Sequence, residues 1–310
     1  MKILITGGSG FIGSSLAADL RSRSGYEVLA PSRTELDVAD ESAVDRFMAC
    51  HRPDIVVHTA NRGGGRDTVG LEDVVHRNLR MFFNLAKHAS RLTRIIHLGS
   101  GAEYGKHRPI VRVREEEASR SLPPDAYGFY KSVCSRYIER SENMVNLRIF
   151  ACFGERENYR YKFITNAIVK NLLGLPITIH RNVRFDYLYI EDLLGMIRHF
   201  LHHDGTYRVY NATRGEGVEL IQLAEQINRL SGRPVPIRIL HGGMGNEYTS
   251  DNSRILSELE NVSFTPHEEA IRKLFDFFLE RLDTIDTKTV REDPFLRHCQ
   301  TLWKVKNDDR

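Results

Sequence analysis

The sequence contains few cysteines and no long apolar run. Cysteine occurs at only four of the 310 positions, which are Cys50, Cys134, Cys152 and Cys299. None of these forms a C-x-x-C pair, and widely spaced cysteines in a chain of this length indicate a reducing compartment. No stretch approaches the roughly 20 apolar residues that a membrane span needs, and the apolar run at residues 3–5 is too short for a signal peptide. We therefore expect a cytoplasmic protein without a membrane partner.

Neither sign of charge is in marked excess, and no set of metal ligands is evident. The chain has 44 basic and 41 acidic side chains, a formal net charge of +3, which gives no reason to expect a nucleic-acid partner. His199, His202 and His203 cluster near a predicted helix end, but no matching carboxylates or cysteines accompany them, so we expect no metal. A content of 41% hydrophobic and 27% charged residues is typical of a folded globular protein.

Short apolar runs alternate with longer helical patterns through the first half of the chain. Strands are predicted at Lys2–Thr6, Glu27–Ala30, Ile55–His58, Arg94–Leu98 and Val145–Ile149, and helices at Phe11–Arg23, Glu41–Cys50, Leu71–Leu92 and Asp125–Glu142. The strands are apolar without alternation, as in a sheet that is covered on both faces. This order predicts the α/β fold class, with a doubly wound parallel sheet of the Rossmann type.

The first predicted strand leads into a glycine-rich turn (TGGSGFIG), and a helix follows. Gly7 permits a tight turn, Gly10 lets the backbone approach a pyrophosphate, and Gly13 lets the helix pack closely on the strand. The free N–H groups at the start of the helix, which include those of Phe11 and Ile12, favour phosphate binding. These residues predict a dinucleotide site. The alternative is a tight strand–helix turn without a ligand.

The end of the second strand bears on the choice of nicotinamide cofactor. NAD-binding Rossmann units usually carry a carboxylate there that binds the ribose 2′-OH, and the run Ala30-Pro-Ser-Arg33 has none. Arg33 is suited to a charge-assisted pair with a 2′-phosphate, which favours NADP(H). NAD(H) stays possible if Arg33 is only a surface residue. Asp37 and Val38 follow, placed to reach the adenine.

Tyr127 and Lys131 stand four residues apart in a predicted helix, which puts both on one face. A nearby ammonium lowers the pKa of a phenol from about 10, so Tyr127 is predicted to exchange a proton with a substrate oxygen near neutral pH. Lys131 is also expected to hold the nicotinamide ribose. Ser100 follows the strand at Arg94–Leu98, at the edge where ligands bind in such folds, and its hydroxyl is predicted to steady charge on the substrate oxygen.

Together these motifs resemble the extended short-chain dehydrogenase/reductases, in the branch that acts on nucleotide sugars. The matching runs are TGGSGFIG at 6–13, LDV at 36–38, RPDIVVHTA at 52–60, LGS at 98–100, Tyr127-x-x-x-Lys131, LRIF at 147–150 and DYLYIED at 186–192. The resemblance implies an NAD(P)-dependent enzyme with a nucleotide-sugar substrate. It also implies cofactor contacts from Thr59, Ala60, Asn78 and Phe150.

The resemblance further implies two lobes and a homodimer. Residues 1–160 and 185–212 would form the dinucleotide-binding domain, residues 161–184 and 213–285 a smaller C-terminal substrate lobe, and residues 286–310 a C-terminal extension. Lys162 and Arg184 are the candidates for binding the substrate, although the family's phosphate-binding arginine usually stands where this chain has Phe185. The helices Leu71–Leu92 and Asp125–Glu142 are expected to form the dimer seam.

Departures from the family's patterns narrow the reaction. The 4,6-dehydratases of the family carry Thr-Asp-Glu where this chain has Ser100-Gly-Ala102, so water elimination is not expected. The chain is most similar to the GDP-fucose synthases and the NDP-4-keto-6-deoxysugar reductases. The cysteine and histidine of those synthases, at Ala102 and near Lys162, are absent, which argues against 3,5-epimerisation. Their arginine at the position of Ser9 is also absent, which weakens the case for NADP(H).

These comparisons predict an NAD(P)H-dependent reductase of an NDP-4-keto-6-deoxyhexose. Two alternatives stay open. One is a 4-epimerase that retains NAD and oxidises and reduces the same sugar carbon. The other is a non-catalytic sensor that binds NADP through its Rossmann domain.

Overall fold

In the computed structural model, which describes residues 1–65, 68, 70–120, 122–259 and 262–300, strands and helices alternate from the first residues. The strands are β1 Lys2–Thr6, β2 Glu27–Leu29, β3 Ile55–His58, β4 Arg94–Ser100, β5 Ile110–Val113, β6 Met144–Ile149, β7 Ala151–Phe153, β8 Ile177–Asn182, β9 Arg184–Tyr189, β10 Val209–Ala212, β11 Gly217–Glu219, β12 Ile237–Met244 and β13 Tyr248–Ser250. The helices are α1 Phe11–Arg21, α2 Glu41–His51, α3 Val74–Ala86, α4 Ala126–Ile138, α5 Phe163–Leu172, α6 Ile190–His202, α7 Leu220–Ser231, α8 Ser253–Glu258, α9 His267–Leu279 and α10 Thr287–Glu292.

Six strands form one parallel sheet in the order β2-β1-β3-β4-β6-β10. Ile3, Leu4 and Ile5 of β1 are completely buried, as expected for a sheet with helices on both faces. Because β2 and β3 lie on opposite sides of β1, the chain changes direction there, and a crevice opens at the carboxyl ends of the strands. The predicted α/β class and doubly wound sheet are confirmed.

Alternate residues of each strand serve the two faces of the sheet. Leu4 packs with buried residues of α2, α3 and α4, among them Met81 and Ile138. Ile3 and Ile5 pack on the other face with residues of α1 and α6. The helices that carry the predicted catalytic and dimer residues therefore share one face of the sheet.

A second group of elements forms the smaller lobe beside this sheet. The strands β11, β9, β13 and β5 make a second sheet, to which β7 adds through β9, and β8 pairs with β12. Helices α5, α7 and α9 pack against one another. β13 lies between β9 and β5, and its Tyr248 lies beside Gly101, which directly follows β4 of the larger sheet.

One predicted helix is divided in the structure, and the C-terminal segment packs on the core. The helix expected at Leu71–Leu92 is the shorter α3, with a separate 3-10 turn at Ala89–Arg91. The predicted extension is part of the packed structure as far as residue 300, because Val290 and Phe295 are buried in the larger core. Residues 301–310 of that extension lie outside the described residues, and the boundaries predicted for the two lobes stay a prediction.

Within the described ranges, none of the helices combines the length and the apolar character that a membrane crossing requires. The same part of the chain holds no group of three or more histidine, cysteine or acidic side chains arranged around a metal-sized position. The four cysteines are all free thiols.

Candidate active site

The glycine turn forms a cradle that leaves no room for a side chain at Gly7 or Gly13. A Cβ on Gly7 would lie 2.7 Å from the main-chain nitrogen of Ala60, and one on Gly13 would lie 2.7 Å from Thr59 Oγ1. Gly7 also has a φ of +72°, a conformation that favours glycine. Helix α1 begins at Phe11, after the N-cap residue Gly10, with neither a side-chain cap nor an acidic residue in its first turn, so its first N–H groups remain available for an anion.

A crevice of about 490 Å³ extends from this turn between β2 and α3. Seven of the residues predicted to bind the cofactor line it, namely Gly7, Gly10, Arg33, Asp37, Val38, Thr59 and Ala60. Phe11, Ile12 and Gly13 stand in the first turn of the adjoining α1. The residues present fit a dinucleotide, since the cradle leaves room for phosphates and α1 supplies donors.

Two arginines flank Asp37 in the crevice, and only Arg33 was predicted from the sequence. Arg77 Nη2 lies 2.6 Å from Asp37 Oδ2, and Arg33 Nε lies 3.7 Å from the same oxygen. Burial opposes ionisation of Asp37, but the Ala39 N–H and the two guanidinium groups hold its pKa below the usual value. Arg77 comes from α3, far along the chain from the glycine motif, and no local sequence signal marks it.

Ser100, Tyr127 and Lys131 meet at the carboxyl edge of the sheet. Ser100 ends β4 and is buried, while Tyr127 stands in the first turn of α4, which Asp125 caps through a 2.8 Å bond from the Gly128 N–H. One turn further, Lys131 lies with Nζ 5.9 Å from the centre of the Tyr127 ring. The predicted trio is therefore assembled in one place.

The pKa values of the trio differ from the expectation. Burial raises the pKa of Tyr127 to about 12, although the neighbouring Ser100 side chain lowers it. Lys131 donates to the Leu98 carbonyl. Its burial lowers its pKa to about 8. The pKa of Tyr127 is thus raised rather than lowered as expected, because loss of hydration outweighs the Ser100 hydrogen bond. Tyr127 is a neutral acid at neutral pH.

A glycine-rich loop after β3 covers the Tyr127 ring. A Cβ on Gly64, whose φ is +82°, would lie 2.5 Å from Tyr127 Cδ2, so main chain packs directly on the phenol. Asn78 fixes this loop, accepting the Arg62 N–H at 2.9 Å and donating to the Arg62 carbonyl at 2.8 Å. The loop is also tied to α4 by the hydroxyl of Tyr130, which donates to Asn61. Asn78, predicted to contact the cofactor, therefore holds a loop of the site.

An aromatic wall stands on the other side of Ser100. Phe150 and Tyr248 are buried, with ring centres 4.7 Å apart, and both lie against Gly101, where a Cβ would be 2.5 Å from the Tyr248 hydroxyl. In the part of the chain that the structure describes, that hydroxyl is buried without a hydrogen bond of good geometry. Burial raises its pKa, and the nearby Ser100 side chain acts in the opposite direction with a smaller effect. Tyr248 was missed by the sequence analysis because the smaller lobe supplies it.

The two predicted substrate residues lie in or beside the smaller lobe. Lys162 precedes the first turn of α5 and is partly buried. Arg184 is the exposed first residue of β9, and its guanidinium lies beside Gly217. Among the described residues, neither makes a hydrogen bond or ion pair to Ser100 or Tyr127, so their role stays a prediction.

The family model of the NAD dependent epimerase/dehydratase family matches residues 3–213, which is more than half of the chain. The chain belongs to this family. The resemblance to extended short-chain dehydrogenase/reductases is confirmed, as is the prediction of an enzyme of this class.

Curated relatives are similar at low identity. A GDP-L-fucose synthase from Azorhizobium caulinodans is 28% identical over 185 residues, which cover 55% of this chain and 59% of that protein. A GDP-L-colitose synthase from Yersinia pseudotuberculosis is 31% identical over 224 residues, covering 64% of this chain and 71% of that protein. The chain thus spans less than two thirds of the length of the first of these relatives.

Solved structures share the fold. A GDP-mannoheptose C4 reductase from Campylobacter jejuni with NADP bound superposes with a TM-score of 0.78 at 17% identity, covering 90% of this chain and 98% of that one. A UDP-glucose 4-epimerase of Thermus thermophilus in complex with NAD gives a TM-score of 0.74 at 22% identity, covering 90% and 99%. The family fold therefore accommodates either nicotinamide cofactor.

Proposed function

We propose that the protein reduces an NDP-4-keto-6-deoxyhexose with a nicotinamide cofactor. The observation that carries this proposal is the meeting of Ser100, Tyr127 and Lys131 beside a dinucleotide cradle. A neutral Tyr127 suits the direction of reduction, in which the phenol gives a proton to the new alkoxide. The similarity to GDP-L-colitose synthase and to a C4 reductase supports the same reaction class.

Each member of the trio has a distinct role in the proposed step. The glycine turn and the crevice beside it would hold NAD(P)H, which would supply the hydride for reduction of the sugar carbonyl. Ser100 donates a hydrogen bond to the carbonyl oxygen as negative charge develops there. Tyr127 then protonates that oxygen, and Lys131 stabilises the phenolate that is left.

Water elimination lacks its acid and base in this site. Gly101 and Ala102 occupy the positions where the dehydratases of the family carry carboxylates, and Ala102 is fully buried. A neighbouring carboxylate, on Glu103, is already bonded to the Ser100 N–H and to Arg148. A ketoreductase is therefore a better match than a dehydratase.

The charges in the crevice support NADP(H) as the preferred cofactor. Arg33 and Arg77 place two guanidinium groups beside one carboxylate, Asp37, which leaves net positive charge for a 2′-phosphate. We expect Arg33→Ala and Arg77→Ala each to lower kcat/KM with NADPH about tenfold, with little change for NADH. Arg80→Ala, an exposed position of the same helix, is the control. An unchanged NADPH to NADH ratio in both variants would refute the preference.

The test of the reaction is loss of 340 nm absorbance when the purified protein, NADPH and a panel of NDP-4-keto-6-deoxyhexoses are mixed. Turnover that falls at least 100-fold in Tyr127→Phe is the expected result. Interconversion of two NDP-hexoses without added cofactor would instead establish the 4-epimerase. NADP binding without turnover, unchanged by Tyr127→Phe, would establish the sensor.

The substrate and assembly form part of the same proposal. We assign Lys162 and Arg184 to the diphosphate of the nucleotide sugar, and expect Arg184→Ala to raise KM for the sugar but not for NADPH. The enzyme is proposed to act as a cytoplasmic homodimer, in keeping with four free thiols. The seam would involve α3 and α4, whose Phe83 and Tyr137 are exposed by 40% and 43%.

A further inference from the structure

A carboxylate beside Ser100 is completely buried. Glu103 lies in the 3-10 turn Gly101–Tyr104 and accepts the main-chain N–H of Ser100 at 3.0 Å, while the Ser100 hydroxyl accepts the N–H of Ala102 at 3.1 Å. These reciprocal bonds form a capping box around Ser100. The bond from the Ala102 N–H occupies one lone pair of the Ser100 hydroxyl and fixes its direction. The hydroxyl proton is then left for a substrate oxygen.

The charge of Glu103 is balanced by one arginine. Arg148 of β6 is equally buried, and its Nε lies 2.5 Å from Glu103 Oε2. Three of its four remaining N–H groups donate to the Tyr104 hydroxyl at 3.0 Å, the Glu115 carbonyl at 3.1 Å and Ser135 Oγ at 2.9 Å, and Nη2 also lies 3.6 Å from Glu139 Oε1. The pair is thus held on three sides, and its position does not depend on solvent.

The strand that leads into Ser100 is shaped around this carboxylate. A Cβ on Gly99 would lie 2.5 Å from Glu103 Oε1, and the Asn146 amide approaches both Glu103 oxygens at 3.3 Å. Buried ion pairs contribute little net stability compared with apolar residues of similar volume. Stability therefore gives no sufficient reason for a charge pair at this point of the site.

We propose that Glu103, held by Arg148, is a positioning residue that fixes Ser100 for the reaction. This inference rests on the proposed function, because it assigns Glu103 a role in the same site. Glu103 also acts on the trio through its charge, which contributes to raising the pKa of both Tyr127 and Lys131. Two consequences follow, one for the geometry of Ser100 and one for the pH profile.

The first test compares steady-state constants. Glu103→Gln removes the charge, and Glu103→Leu with Arg148→Met replaces the whole pair by apolar groups. We expect kcat to fall about 10- to 100-fold in the double variant, with KM values within about threefold, because misplacement of a catalytic group costs rate. The control is Lys170→Met with Asp293→Asn, a second ion pair, 2.6 Å apart, whose lysine is buried and whose aspartate is partly exposed, and which joins α5 to the C-terminal segment. A double variant that folds and keeps the wild-type kcat would overturn the proposal.

The second test is the pH profile, which a purely structural role would not move. Since Glu103 raises the pKa of Lys131, Glu103→Gln should shift the alkaline limb of kcat/KM to lower pH, and the charge-neutral double variant should restore part of the shift. The other titratable groups beside Lys131 are His58, His97, Cys134 and the two tyrosines, and they are the same in all variants. An unshifted limb in Glu103→Gln would contradict the proposal.

A readout independent of turnover separates this inference from the proposed function. In protein labelled with 15N-serine, the Ser100 amide is identified by its loss in Ser100→Ala. We expect the chemical shift of its proton to move upfield in Glu103→Gln, because an amide N–H makes a stronger hydrogen bond to a carboxylate than to a neutral amide oxygen. An unmoved resonance overturns the positioning role, whereas a wild-type protein that reduces no ketosugar overturns only the proposed function.

Discussion

The neighbours of Tyr127 set its chemistry at the scale of single residues. Burial raises the pKa of this phenol to about 12, and the main chain of Gly64 lies against its ring. Its lysine partner is buried as well and donates to the Leu98 carbonyl. The site therefore combines a neutral phenol with an ammonium whose pKa is lowered. Both shifts follow from the exclusion of water.

The contact between Gly64 and Tyr127 gives a testable prediction. Gly64→Ala should lower kcat by about 100-fold, because the new methyl group displaces the phenol from its position. Gly70→Ala is the matched control, since its φ of +83° is nearly the same but a Cβ there has open space. Steady-state kinetics and melting temperatures of both variants separate displacement from backbone strain. Equal losses of kcat in the two variants would contradict the prediction.

The lowered pKa of Lys131 predicts a pH dependence. Burial lowers this pKa to about 8, so the ammonium is present below that pH and lost above it. We expect kcat/KM to fall above about pH 8, since the neutral amine no longer stabilises the phenolate. Lys131→Arg, which stays charged across this range, should abolish the limb while lowering the rate. A limb that persists in Lys131→Arg would assign it to another group.

At the scale of elements, residues 286–300 pack against α5 of the smaller lobe. Lys170 of α5 is buried, and its ammonium binds Asp293 at 2.6 Å and Thr178 at 2.5 Å. Phe295 packs in the same core with its ring centre 6.1 Å from that of Phe163. Although this segment is mostly polar, a few of its apolar side chains pack against α5 and hold it there.

Phe295 provides the test of that anchoring. Phe295→Ala should lower the free energy of unfolding by about 3–5 kcal/mol, the usual cost of a cavity of this size. Leu256→Ala, at a position exposed by 40%, should change it by less than about 0.5 kcal/mol. Denaturant titration measures both values. A loss below 1 kcal/mol for Phe295→Ala would show that the segment does not contribute to the core.

At the scale of the whole molecule, the two helices that carry Tyr127 and Asn78 also present an apolar outer face. Phe83 of α3 and Tyr137 of α4 are both partly exposed, and their rings meet edge to face, 5.3 Å apart. Exposed aromatic pairs of this kind are common at interfaces between subunits. A seam on this face would link the assembly to helices of the active site.

We expect the protein to sediment as a dimer at micromolar concentration. Phe83→Glu with Tyr137→Glu should yield monomers, because the interface would then bury four uncompensated charges. Leu279→Glu, at a site exposed by 52% on α9, should leave the dimer intact. Analytical ultracentrifugation distinguishes the species. A monomeric wild-type protein would refute the proposed seam.

Local patterns were sufficient to predict the dinucleotide-binding half of the fold. The run of buried strands and the glycine turn act through backbone geometry and nearest neighbours, so the sequence alone determined β1, α1 and the start of α4 closely. Order along the chain then placed Ser100 at the sheet edge near Tyr127, since parallel strands end on the same side.

Contacts between distant segments were decided only by the tertiary structure. Arg77, Tyr248 and Arg148 reach the site from α3, from the smaller lobe and from β6, and no local pattern marks such meetings. The direction of the pKa shift at Tyr127 was also beyond the sequence, because it depends on how completely the folded chain excludes water from the phenol. The sequence determines which titratable groups are present, whereas burial and contacts between distant segments determine their pKa values and partners.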